Sequence, residues 1–264
     1  MKDLRPLTAE VIAVALGHLP EPPVDLIQVA EDLNVCDIRS TSFRDGFTDF
    51  AQDSPVIYLN RAESGPRMRL VFAHELAHVM LRKPAVMRLI EMRGRSYLLR
   101  GEENLANDIA ATLLIPEDLV KSIRESNLTI DNLERLATYA QVTPRTLVTR
   151  LAEARVDTGF LHWKRGVRSW HVIDRPGAPE SLHESIILSK VGAMVFEGLN
   201  QRESPIIVDC RVGEVNAKIH GTGRRIGEHV IQLIRPSRDI RIVSSEVRIR
   251  SVIDSWRPIA ARAC

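Results

Sequence analysis

The chain has 264 residues, 44% of them hydrophobic, which is room and apolar content for two cores. Its 36 Lys and Arg against 34 Asp and Glu leave a formal charge of +2, a balance that names no partner. No apolar run is long enough to span a bilayer, no signal-peptide pattern opens the chain, and Cys36, Cys210 and Cys264 form no Cys-x-x-Cys pair, so the expectation is a cytoplasmic protein with reduced thiols and no membrane partner.

Residues 8–16 and 24–33 read as two helices separated by the turn Pro20-Glu21-Pro22-Pro23, with His18 in the loop or cap between them. Three short strands follow, around residues 36–39, 46–50 and 55–60, with turn residues between them. They predict a small antiparallel sheet whose edge can hold an extended peptide by backbone pairing; which strand forms that edge stays open. Tyr58 reads more readily as packing than as an oxyanion donor.

The next helix carries the chemistry. Ser64 is a candidate N-cap and Pro66 a first-turn residue, and residues 69–81 then read RLVFAHELAHVML up to a stop at Pro84. His74 and His78 are four apart, so both imidazoles lie on one helical face and can point at a single metal ion. Glu75 falls beside that ion, where it can act as general base.

A catalytic zinc takes three protein ligands, so one more is needed downstream. Residues 96–115 read as a second helix in which Glu103 and Asn107 share a face. Glu103 can supply the ligand oxygen, and Asn107 can accept a hydrogen bond from the far nitrogen of a ligand histidine. Glu102 competes for the ligand role but has no polar residue one turn on, since its face carries Ala106 and Ile109. Zinc suits two histidines and a carboxylate, with manganese or iron as alternatives.

These segments resemble the ImmA/IrrE family of bacterial metallopeptidases, whose pattern is a His-Glu-x-x-His helix followed by a Glu-x-x-Ala-Asn helix ending in Leu-Leu-x-Pro. The matching residues are His74, Glu75, His78, Glu103, Ala106, Asn107, Leu113, Leu114 and Pro116. Many relatives carry an acid just before the Ala-Asn pair, where this chain has Leu105, and that departure leaves Glu103 as the better ligand. The resemblance implies a zincin-like domain that cuts a partner transcriptional repressor, a helix-turn-helix protein, and so induces stress, prophage or mobile-element genes.

Between the two metal helices lie Arg82, Lys83, Arg88, Arg93, Arg95 and Arg100, either a solvated face or a patch that steers an acidic partner. Residues 128–153 then show helix-turn-helix patterning, with Thr143 as N-cap and Pro144 opening the second helix. Arg145 and Arg150 would project from that helix toward DNA or a protein substrate, unless the pair is a packing hairpin.

After residue 155 the pattern alternates. A hairpin is expected across Gly166, a helix over 181–199, a strand over 206–210, further strands over 214–220 and 229–234, and a turn at 221–225 whose amides and arginines offer an alternative phosphate grip. His162, His171, His183, His220 and His229 show no metal-ligand spacing.

The expected fold is therefore α+β in three parts: a zincin-like metallopeptidase domain with a small antiparallel sheet over 1–127, a helix-turn-helix-like segment over 128–154, and a C-terminal α+β domain over 155–264, for which the family layout implies a GAF-like sensor. The functional expectation is a zinc-dependent endopeptidase. Its rival is a non-proteolytic regulator that binds protein or DNA and keeps a structural metal site.

Overall fold

A computed structural model describes residues 5–42, 46–51, 54–63, 65–93, 101–124, 128–154, 156–166, 170–174, 186–188, 199, 201–212 and 215–242. The fold is α+β, and the chain packs into two compact units, one of residues 2–126 with 135–147 and one of 127–134 with 148–264.

In the first unit α1 (Arg5–Leu16) ends on Gly17, whose φ of 81° supplies the left-handed cap and whose amide bonds Ala13 O at 2.8 Å. His18 sits just beyond, its Nδ1 3.3 Å from Leu16 O. Asp25 caps α2 (Leu26–Asp32) by accepting from the amides of Ile27 and Gln28.

Strands β1 (Asp37–Thr41), β2 (Phe47–Asp49) and β3 (Val56–Asn60) form the small sheet in the order β1-β3-β2. The expected antiparallel sheet is mixed instead: β2 runs antiparallel to β3, but β1 runs parallel to it. The chain reverses direction at each strand, as a meander would, yet β3 takes the centre because Val56, Ile57, Leu59 and Asn60 are all buried. Both β1 and β2 are thus edges. Tyr58 is packing: its ring stacks on Phe47 at 4.5 Å, and its hydroxyl accepts from Arg39 at 3.3 Å.

Helix α3 (Gly65–Leu81) lies against this sheet and against α5 (Glu102–Leu114). Ala73, Ala77, Ala106 and Ala110 are completely buried on these two helices, and small side chains let helix axes approach closely. Ser64 lies outside the described residues. Pro84 does more than stop α3; it is the first residue of α4 (Pro84–Arg93), the position where a missing amide costs nothing. Helix α5 starts at Glu102, not at 96, because Gly101 has φ 82° and ψ 147°, which no helix contains; residues 94–100 lie outside the described set.

The basic cluster is partly spent on structure. Lys83 Nζ donates to Ala15 O at 2.9 Å, and the Arg93 guanidinium pairs with Glu10, so both cations tie the α4 region to α1. Arg95 and Arg100 lie outside the described residues.

Helices α6 (Glu117–Arg124), α7 (Ile130–Tyr139) and α8 (Pro144–Glu153) follow. Thr143 caps α8 by accepting the Thr146 amide at 3.0 Å, with Pro144 next in line. Leu133, Leu147, Val148 and Leu151 are fully buried.

The second unit is built on a seven-stranded sheet in which every pairing is antiparallel. Its main order is β5 (Trp170–Asp174), β4 (Gly159–Arg165), β9 (His229–Ile234), β8 (Val215–Ile226), β7 (Ser204–Val212), β6 (Ile186–Leu188), and β10 (Ile240–Ile242) also pairs with β8. The one-turn α9 (Pro236–Asp239) joins β9 to β10. Two expectations need correction. Ile186–Leu188 is a strand on β7 and not part of a helix, as suits a run with two adjacent β-branched isoleucines; the remainder of 181–198 lies outside the described residues. Residues 221–225 are no turn but the middle of β8, where the strand passes from pairing with β10 to pairing with β9. Arg224 spends its guanidinium there on Asp131 at 2.6 Å and on Glu134. In the core of this unit Trp163 and Gln232 are completely buried, and the indole N–H donates to the amide oxygen at 3.1 Å.

Candidate metal centre

His74 and His78 emerge from the middle of α3, whose other residues there are buried: Phe72, Ala73, Glu75, Leu76, Ala77, Val79 and Met80. The two rings sit edge to face with centroids 4.7 Å apart, and their Nε2 atoms are separated by 3.1 Å. Glu103, in the first turn of α5, brings one carboxylate oxygen to 3.3 Å from His74 Nε2 and the other to 3.5 Å from His78 Nε2. Three ligand atoms from two helices thus face one point.

That arrangement fits a metal ion. Ligands about 2.0–2.1 Å from a tetrahedral zinc stand roughly 3.3 Å from one another, the spacing seen between these nitrogens and oxygens. Among the described residues the group has three members, not the four of a closed structural site. Glu103 is 75% exposed while the histidines are 19% and 13% exposed, so the site is rooted in the core and opens toward solvent on the carboxylate side.

Glu75, between the two histidines on α3, is only 5% exposed. A buried carboxylate needs a partner, and Thr48 on β2 provides it: the hydroxyl donates to Glu75 Oε2 at 2.8 Å. Gly46 stands just before that strand. A Cβ there would come within 2.8 Å of Val71 Cγ1, 3.0 Å of Tyr58 O and 3.3 Å of Glu75 Cγ, so bare backbone is what lets the β2 region close on Glu75.

The far nitrogens of the histidines depart from expectation. His78 Nδ1 meets Glu102 Oε1 at 2.9 Å, and Arg82 lies 3.9 Å from the same oxygen. His74 Nδ1 is buried without a hydrogen-bond partner. Neither nitrogen reaches Asn107, which is exposed on α5. Glu102 takes the place at His78 Nδ1 that Asn107 was expected to fill. Glu102, Thr48 and Gly46 were invisible in this role from sequence, because no local pattern ties them to residues 24, 27 and 29 positions away.

Of the two arginines expected to project from α8, Arg145 is exposed, but Arg150 is 2% exposed and engaged within the fold. Arg150 therefore offers no surface to DNA or substrate, because its face of α8 is the one that carries Leu147 and Leu151 inward.

No curated protein matches the chain. A solved structure of a Mycobacterium tuberculosis transcriptional regulator is similar, with a TM-score of 0.48 and 12% identity over 88% of this chain and 76% of its own. Among the described residues no helix is long and apolar enough to cross a membrane. Residues 29–152 match the family model Peptidase_M78, the IrrE N-terminal-like domain, a span that holds β1 to α5 and every candidate ligand. Across residues 29–152 this chain is therefore similar to the IrrE N-terminal-like domain of the Peptidase_M78 family.

Proposed function

We propose that this protein is a metal-dependent endopeptidase whose substrate is a partner transcriptional repressor of the helix-turn-helix kind, and whose action induces stress, prophage or mobile-element genes. The observation that carries the reading is the convergence of His74, His78 and Glu103 with the buried Glu75 one residue along α3. A structural site has no use for a buried general base between its histidines. The sequence resemblance to repressor-cleaving peptidases supports the substrate class.

Zinc, when bound by His74, His78 and Glu103, supplies Lewis acidity toward a peptide carbonyl and acidifies water; manganese and iron are the alternatives that metal analysis of the purified protein decides. The chain's own residues do the rest. Glu75 takes the proton of the attacking water and passes it to the departing amine, with its carboxylate aimed by Thr48. Strand β2 is an edge of the small sheet and contacts α3, a position where an extended peptide can lie. Arg145 is exposed on α8, on the surface where substrate or DNA could be met.

The test pairs the purified chain with a repressor encoded beside it, with and without added zinc. Metal-dependent cleavage that Glu75→Gln abolishes supports the reading. An intact repressor in the presence of metal, with binding to the repressor or to DNA retained, moves the assignment to the non-proteolytic regulator.

A further inference from the structure

We infer that Glu102 is the positioning residue of this centre, acting on the metal through His78, with Arg82 holding it in place. This rests on the reading of His74, His78 and Glu103 as a metal centre. The observation is an asymmetry between two histidines that the His-Glu-x-x-His pattern makes look alike. His78 Nδ1 has a carboxylate at 2.9 Å, whereas His74 Nδ1 is buried with no partner.

A neutral imidazole carries one proton, and only the bare nitrogen can bind a metal. In His78 the Glu102 carboxylate can only accept, so it places the proton on Nδ1 and leaves the Nε2 lone pair facing His74 and Glu103. The same bond fixes the rotation of the ring. No group among the described residues bonds the Nδ1 of His74 in the same way.

Glu102 is itself half exposed, so it needs an anchor. Arg82, one turn beyond His78, approaches Glu102 Oε1 to 3.9 Å and lays its guanidinium over the Phe50 ring at 4.6 Å. Phe50 directly follows β2, so the support chain runs from the edge strand through Arg82 and Glu102 to His78. Glu102 stands beside Glu103 yet does a different job, because consecutive helical residues point about 100° apart.

The experiment uses the full chain. Zinc affinity is measured by competition with a chromophoric chelator, and the tautomers of His74 and His78 are read from ring nitrogen shifts in metal-free protein. Glu102→Ala is expected to weaken zinc binding about 10- to 100-fold and to move the His78 proton from Nδ1 toward Nε2. Glu102→Gln, which keeps an acceptor oxygen, is expected to restore most of the affinity and the tautomer. Arg82→Gln is expected to weaken zinc binding by a smaller factor. Wild-type affinity in Glu102→Ala with an unchanged His78 tautomer overturns the inference, and complete loss of zinc there would make Glu102 a ligand and overturn it as well. Wild-type affinity in Arg82→Gln removes Arg82 from the assignment. If the wild-type chain binds no zinc, the metal-centre reading fails, and the tautomer in the metal-free variants still decides the role of Glu102.

Discussion

The Thr48 hydroxyl donates to the Glu75 carboxylate at 2.8 Å, linking an edge strand to the proposed general base across 27 residues of sequence. A hydrogen bond to a charged group contributes about 1.5–3 kcal/mol, and this one sets the direction in which Glu75 presents its free oxygen. Thr48→Val should therefore lower kcat/KM for repressor cleavage by about tenfold or more, and Thr48→Ser should recover most of it. Equal rates for the valine variant and wild type would show that Glu75 is aimed by something else.

Glu75→Gln should keep the metal and lose the reaction. The side chain is not among the three ligand candidates, and glutamine preserves its shape and its contact with Thr48. Removal of a general base costs about 10²- to 10⁴-fold in rate, to be read in parallel with metal content.

Glu103→Ala should lose bound metal outright, because two histidines alone make a weak site. Elemental analysis of the purified variant checks it. Metal retained there at wild-type stoichiometry would place the third ligand elsewhere on α5.

Gly46→Ala should destabilise the first unit and impair cleavage together. The Tyr58 carbonyl, one of the atoms a new methyl would meet, is held in the ladder of β3 and has little room to retreat. Overpacking of this kind costs about 1–3 kcal/mol, measurable as a fall in the urea midpoint.

Arg145→Ala and Arg150→Ala should behave oppositely. Arg145 is exposed, and although it too is engaged within the fold, a bond in solvent is worth little, so its loss should leave thermal stability within about 1 kcal/mol of wild type while lowering affinity for the repressor or DNA if α8 takes part in binding. Arg150 is buried, and its removal strands whatever it is bonded to, a cost of about 2 kcal/mol or more. Differential unfolding of the two variants decides between a surface and a structural arginine.

The sequence by itself determined the local chemistry. Four-residue spacing puts His74 and His78 on one face of α3, the Thr143-Pro144 pair starts α8, and alternating residues after 158 make strands, all because the α-helix and β-strand have fixed periods. Glu103 was preferred over Glu102 for its neighbour Asn107, which meets neither histidine; what brings Glu103 to them is the packing of α5 on α3. Only the tertiary structure decided what these elements meet. The centring of β3 between β1 and β2, the turning inward of Arg150, the outward look of Asn107, and the partners Thr48 for Glu75 and Glu102 for His78 all depend on which helix face lies against which neighbour. Such choices rest on packing among residues far apart in the chain, and a one-residue difference in the register with which α5 meets α3 would re-aim every side chain on it by about 100°. The histidines are therefore legible from their spacing alone, whereas the groups that orient them become visible only when the helices are in place.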